Sequence, residues 1–322
     1  MPLEILQPLI GADMQAVDRV IRNRLHSDVI LIRQVSEYII NSGGKRLRPM
    51  LVLLSAGLFG YQGTKQHELA AIVELIHTAT LLHDDVVDES ELRRGKKTAN
   101  EMFGNAASVL VGDFLYSRSF QMMVDVGIMR VMAVLSEATN IIAEGEVLQL
   151  LNIHDADISE ERYLQVIRYK TAKLFEAATR LGAILGGAAP DVEQAMASYG
   201  MHLGTAFQLI DDVLDYSGDH EETGKNVGDD LAEGKPTLPL IYAIRRGAPA
   251  QASVVRQAIR DGGLVDLEAV IAAIKDTGAL DYAKARAQQE SEAACAAISA
   301  MPSSTYKDSL LQLASFAVTR SY

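Results

Sequence analysis

Residues 67–83 are apolar nearly all the way round a helix, through Leu69-Ala70-Ala71-Ile72-Val73 and Leu75-Ile76, and run into the acidic pentapeptide Asp84-Asp85-Val86-Val87-Asp88. A helix without a polar face must be buried inside a larger bundle. The same DDxxD pattern closes a second apolar stretch, as Asp211-Asp212-Val213-Leu214-Asp215. On a helix the first and last Asp of each copy are four residues apart and share a face. Like charges at that spacing repel by roughly 0.2–0.5 kcal/mol per pair. At a helix C-terminus the dipole disfavours each anion by about 0.3–1 kcal/mol more. A fold gains nothing from this. A hard divalent cation offsets it, because Mg²⁺ takes oxygen ligands and is often shared between one or two carboxylates and substrate phosphates.

The rest of the chain fits an all-α protein. Ala, Leu, Glu, Gln, Arg and Met dominate the long segments, Trp is absent, and no run alternates like a strand. The 322 residues suffice for one large domain, and the whole chain, 1–322, is expected to form one. The net charge of −12 and the lack of a basic arm argue against nucleic-acid binding, but not against an anionic substrate held by local Lys/Arg and metal. A single cysteine, Cys295 in an Ala-rich stretch, excludes an intrachain disulfide and fits a reducing cytoplasm and a buried, unreactive thiol. Residues 1–10 lack a signal-peptide pattern, and the apolar uncharged run 49–64 is too short and Gly-broken to span a membrane. A soluble, cytoplasmic protein is expected.

Punctuation places the elements. Pro49 suits the first turn of a helix reaching about Phe59, with Gly60 as the stop. Gly95 and its charged neighbours read as a loop. Further helices are expected from near Asp113, over about 131–151, and from an Ser159 N-cap to Leu185. Asp191 with Gln194 resembles a capping box opening the helix that ends at the second motif. Residues 217–236 are polar and Gly-rich, contain Gly224-Lys225 and Gly234-Lys235, and read as a mobile lid. Residues 238–322 read as helical scaffold or dimer surface.

Cations accompany the acids. Gly43-Gly44-Lys45-Arg46-Leu47-Arg48-Pro49 places three in a Gly-bounded segment before a helix start, where phosphate binds well, although a solvated basic turn fits the same residues. Arg93-Arg94 can fold back beside the first motif, or pair with Asp88, Glu89 or Glu91. Lys170-Thr171 lies mid-helix. Two Asp clusters with several Lys/Arg describe a site for diphosphate bridged by Mg²⁺. There is no P-loop, and His77 and His83 lack the four-residue spacing of a zinc helix.

These residues, in GGKRLRP, LLHDDVVDESELRRG, KTA, GTAFQLIDDVLDY and GKNVGDDLAEGKPTLPL, give the chain a strong resemblance to the trans (E-type) polyprenyl diphosphate synthases. The wording is closest to the bacterial long-chain enzymes that make the ubiquinone side chain. The resemblance implies a bundle of antiparallel helices around a deep central cavity (the isoprenoid synthase fold), usually homodimeric. It implies that Lys45, Arg48 and His77, with Arg94, bind isopentenyl diphosphate. Asp84 and Asp88 would hold two Mg²⁺ on the allylic diphosphate, Asp211 a third with support from Asp215, about three in all. Asp85 belongs to the same catalytic motif. Arg93, Lys170, Lys225 and Lys235 would complete the allylic cage, and Thr171 and Gln208 would turn oxygen dipoles toward the reacting carbons.

The implied reaction adds isopentenyl diphosphate repeatedly to an allylic primer, farnesyl diphosphate, giving octaprenyl diphosphate or a near-length homologue. Ala79 and Thr80, beneath Asp84 on the helix face, are small enough to let a growing tail pass, and Met123 is the candidate floor; flexible core filling is the other reading of the Met122-Met123 pair. Three alternatives stand beside this one: a shorter-chain synthase, a class I terpene cyclase, and a non-catalytic regulatory subunit. The small Ala79 and Thr80 argue against the first, and two complete DDxxD copies against the others.

Overall fold

The structure, a computed structural model, describes residues 6–93, 95–217 and 227–320. Among these, regular structure is helical apart from one two-residue ribbon. The helices are α1 (Gln7–Arg24), α2 (Ile30–Asn41), α3 (Leu47–Leu58), α4 (Lys65–Val87), α5 (Ala99–Phe103), α6 (Asn105–Val126), α7 (Met129–Asn152), α8 (Glu160–Ile167), α9 (Lys173–Leu185), α10 (Pro190–Leu214), α11 (Asp229–Ala232), α12 (Leu238–Arg246), α13 (Pro249–Asp261), α14 (Leu267–Thr277), α15 (Ala279–Ala297) and α16 (Thr305–Thr319). Two compact units divide the chain: Met1–Thr139 with Leu174–Gly200 and Ala297–Leu313, and Asn140–Lys173 with Met201–Ala296 and Ala314–Tyr322.

In the first unit α4 is the central element, packed on α1, α3 and α6. Its residues Leu69 to Val73, with Leu75, Ile76, Ala79 and Leu82, have no exposed surface, as an all-round apolar helix requires. α6 lies antiparallel to it: Lys65 Nζ donates to Val126 O (2.9 Å) at one end, and Ser108 Oγ to Leu82 O (2.9 Å) at the other. This register puts Met123 level with about Glu68, some sixteen residues or about 24 Å below Asp84 along the axis. α6 begins at Asn105, well before the expected Asp113, because Gly104 at φ 86° separates it from the short α5. The expected loop around Gly95 is a hairpin, β1 (Leu92–Arg93) against β2 (Lys96–Lys97), turning through Gly95 at φ 71°.

The second unit has two apolar clusters. One gathers Leu231, Leu240, Val255, Ile259, Val270 and Ile274. The other gathers Tyr163, Leu164, Ile167, Leu209, Ile210 and Val213. The Ser159 cap forms as expected, its Oγ accepting from Arg162 N. The helix it opens reaches Leu185 only through a π-helical stretch, Arg168–Ala172, between α8 and α9. No Asp191 cap forms: α10 starts one residue earlier at Pro190, whose fixed φ favours the first helical position. Of the expected lid, residues 218–226 lie outside the described residues, and the rest is partly ordered as α11 between Gly228 and Gly234. Cys295 is half-buried rather than fully buried, and burial pushes its thiol up from the ordinary value. No described helix is long and apolar enough to cross a membrane.

Candidate active site

In the first unit the basic turn is built on positive φ at Gly43, Gly44 and Arg46 (80°, 148°, 48°). Arg46 is spent on the fold, pairing with Asp18 and reaching Glu74 at 4.0 Å. Arg48 meets His77 instead: its Nη1 lies 3.1 Å from His77 Nε2, and its guanidinium stacks on Phe175 at 4.5 Å. Arg can only donate, so His77 Nε2 accepts and the imidazole carries its proton on Nδ1. Lys45, half-buried, sits in the same turn. Arg48 and His77, expected from sequence to share a substrate, are thus in direct contact. Arg94 lies outside the described residues.

The first DDxxD occupies the last turn of α4. Asp84 and Asp88 are half-buried, and Asp85, about a hundred degrees round the helix, has no exposed surface. The hairpin returns Arg93 onto Asp85, with Nε and Nη2 both on Oδ1 (2.9 and 2.6 Å). Burial pushes the Asp85 carboxyl above 3.8, and Arg93 pulls it back only in part. Arg93 therefore pairs with the middle Asp, not with Asp88, Glu89 or Glu91. Ala79 is fully buried, and Thr80 satisfies its hydroxyl on His77 O (2.8 Å). Met122 and Met123 are buried on α6.

In the second unit the π-helical stretch presents Lys170 and Thr171. Its backbone passes so close to α7 that a Cβ on Gly145 would lie 2.6 Å from Lys170 N, so only glycine fits. Lys170 is held by Glu146 (2.5 Å) and Gln149 (2.6 Å), one turn apart on α7. Thr171 Oγ1 donates to Gln208 Oε1 (3.1 Å), Gln208 Nε2 donates to Asp212 Oδ1 (2.9 Å), and Tyr163 hydrogen-bonds Asp212 Oδ2. Burial, then the nearby Asp230 carboxylate, push the Asp212 carboxyl up to about 8, against the pull of Tyr163 and Gln208. Asp211 meets Arg320 Nη1 at 2.7 Å. Arg320 is almost wholly buried, stacks on Phe207 at 3.7 Å and donates to Phe207 O (2.5 Å). Asp215 is buried, with Asp230 N at 3.4 Å. Lys235 pairs with Glu233. Lys225 lies outside the described residues.

Sequence reasoning missed four of these residues. Arg320 sits in a stretch read as scaffold, and no motif announces it. Glu146 and Gln149 look like ordinary helix formers. Tyr163 follows the apolar period of α8 and reads as core.

The donors at both motifs are hard carboxylate oxygens, which suits Mg²⁺. Among the described residues no three His, Cys, Asp or Glu side chains converge as a ready cage.

Comparison with known proteins agrees with this geometry. The polyprenyl synthetase family pattern matches residues 29–276. The octaprenyl diphosphate synthase of Escherichia coli is 54% identical over 321 residues, covering 99% of both chains. The all-trans-nonaprenyl-diphosphate synthase (geranyl-diphosphate specific) of Rhodobacter capsulatus is 47% identical over 98% of this chain and 97% of its own. A crystal structure of a polyprenyl synthase from Caulobacter crescentus, complexed with calcium and isoprenyl diphosphate, superposes with a TM-score of 0.96 at 46% identity, covering 99% of this chain and 98% of that one. The chain belongs to the polyprenyl synthetase family. It is a prenyltransferase, of the kind that synthesises long-chain trans-polyprenyl diphosphates.

Proposed function

We propose that the chain elongates farnesyl diphosphate with isopentenyl diphosphate, Mg²⁺-dependently, to octaprenyl diphosphate or a near-length homologue for the ubiquinone side chain. The whole chain acts as one synthase domain, a reading supported by a family match spanning residues 29–276. The observation that carries the site assignment is the direct contact of Arg48 with His77, beside a helix end that offers Asp84 and Asp88 on one face.

Lys45, Arg48, His77 and Arg94 bind the diphosphate of isopentenyl diphosphate. Asp84 and Asp88, and Asp211 with Asp215, would hold about three Mg²⁺ that neutralise the allylic diphosphate. Bound Mg²⁺ supplies Lewis-acid neutralisation of the leaving group. Asp85 fixes Arg93 at the end of α4. Arg93, Lys170, Lys225 and Lys235 add fixed positive charge where negative charge develops. For Lys170 and Lys235, substrate phosphate replaces Glu146 and Glu233 as the counter-ion. The allylic C–O bond breaks with its electron pair on the diphosphate. The isopentenyl double bond attacks the cation, and the proton lost passes to the departing diphosphate. Thr171 and Gln208 turn oxygen dipoles toward the cation, and closure over residues 217–236 excludes water.

Ala79 and Thr80 leave room for the tail below Asp84, and Met123, about 24 Å down the helix axis, floors it. Exposed apolar side chains on one face of α6, Val109, Leu110, Phe120 and Val124, support a homodimer formed through that face. The absence of a spanning helix among the described residues is compatible with a cytoplasmic enzyme.

The test is to incubate purified protein with Mg²⁺, farnesyl diphosphate and labelled isopentenyl diphosphate, then size the dephosphorylated products. A dominant long polyprenol, lost on adding EDTA, is expected. Short products or Mg²⁺-independent turnover would overturn the reading.

A further inference from the structure

We propose that Tyr163 and Asp212 form a buried positioning relay that sets which end of the Gln208 amide faces Thr171, and hence the sign of the dipole offered to the allylic cation. This rests on the roles proposed above for Thr171 and Gln208. A primary amide has an acceptor end and a donor end of nearly equal shape. Only an acceptor end toward Thr171 stabilises a carbocation; the donor end would present positive hydrogens. Something fixed must choose between them.

Asp212 is that fixed group. It is 2% exposed, one turn beyond Gln208 on α10, and accepts from Gln208 Nε2 at 2.9 Å. Its other oxygen is bonded to Tyr163, which is 5% exposed and anchored in the apolar cluster with Leu164, Ile167 and Leu209. An ionised carboxylate has no donor, so the amide NH₂ must face Asp212. In the structure both Asp212 oxygens act as acceptors, Oδ1 from Gln208 and Oδ2 from Tyr163. With its NH₂ so engaged, Gln208 points Oε1 at Thr171, whose hydroxyl hydrogen it receives at 3.1 Å. The Thr171 and Gln208 oxygens thus stand 3.1 Å apart, with the hydroxyl hydrogen between them. Tyr163 and Asp212 touch no reacting atom in this scheme; they act through Gln208.

Asp212→Asn is the direct test. Asn keeps the shape but offers one oxygen and one NH₂, so position 212 no longer accepts on both sides. Where its NH₂ faces Gln208, Gln208 turns its Oε1 to that NH₂ and its own NH₂ to Thr171. The expected result is a fall in kcat of about tenfold to a hundredfold, with KM for the allylic diphosphate unchanged. Tyr163→Phe frees Asp212 and is expected to give a smaller fall with the same signature. Gln208→Leu and Thr171→Val serve as controls. If those controls keep wild-type kcat, the proposed roles of Gln208 and Thr171 fail and the relay has nothing to position. If the controls lose kcat but Asp212→Asn and Tyr163→Phe do not, the relay is wrong and the roles stand. A kcat loss accompanied by an equal rise in KM would also overturn it, because that is what a merely structural role gives. Should Asp212→Asn fail to fold, Tyr163→Phe alone decides.

Discussion

The two DDxxD copies share a spelling and differ in wiring. In both, the middle Asp turns inward and burial raises its pKa. Asp85 is met by a cation, the Arg93 guanidinium returned by a hairpin. Asp212 is met by neutral donors, Tyr163 and Gln208. The helix faces beneath the leading Asp differ too. Five and four residues before Asp84 stand Ala79 and Thr80; five and four before Asp211 stand Ala206 and Phe207, and Phe207 is capped by Arg320. The difference teaches that a repeated motif fixes which carboxylates share a helix face, while its surroundings decide the rest. The first copy sets its buried carboxylate against a cation, above small side chains. The second is tuned for the orientation of neutral dipoles.

The comparison breaks most visibly at the outer carboxylates. Asp84→Asn and Asp211→Asn are each expected to lower kcat by about 10²–10³-fold in a prenyl-transfer assay, because each removes charge stabilisation of the leaving group. Equal activity to wild type in either would mean that copy is not part of the machinery. The faces below should then diverge. Ala79→Tyr is expected to shorten the product, read by chromatography of the dephosphorylated chain, with condensation itself retained. An unchanged product distribution would refute the tail path.

The middle residues sharpen the contrast in stability. Arg93→Leu leaves Asp85 buried and uncompensated, at a cost of about 3 kcal/mol in urea unfolding. Tyr163→Phe removes one donor to Asp212, at a cost of about 1 kcal/mol. A reversed order would contradict the charge-versus-dipole distinction. The smallest effect is in pH. Asp212 titrates at about 8 in the fold against an ordinary 3.8, so between those values the folded state binds more protons than the unfolded one. Its contribution to stability is complete below the ordinary value and is lost as pH rises toward about 8. Asp85, also raised, acts with the same sign, whereas Glu193 and Glu290 are lowered and oppose it. Those three are common to wild type and Asp212→Asn and cancel in the difference between the two. In EDTA the variant is expected to lose less stability than wild type between about pH 5 and about pH 8.

Much of this was legible in the sequence, for identifiable reasons. An apolar run with no polar face has one fate, burial, and α4 shows it. Carboxylates four apart share a face because helix geometry gives them no choice. The Ser159 cap follows from a hydroxyl placed before two glutamates. What stayed hidden depends on tertiary return of the chain. Arg320 reaches Asp211 from 109 positions away in numbering, and nothing local marks it. Glu146 and Gln149 matter only because Gly145 lets the π-helical stretch come close, and a π-bulge has no reliable local signature. Tyr163 falls on the buried face of amphipathic α8, a position that says nothing about its hydroxyl.

The division of labour between the motifs can be counted directly. Mn²⁺ would be titrated, with electron paramagnetic resonance as the readout, into wild type, Asp84→Asn/Asp88→Asn and Asp211→Asn, each saturated with a non-ionisable thio analogue of farnesyl diphosphate. The account predicts about three bound ions in wild type, loss of about two with the first-motif variant, and loss of about one with Asp211→Asn. Undiminished metal binding in either variant, with the analogue still bound, would contradict it.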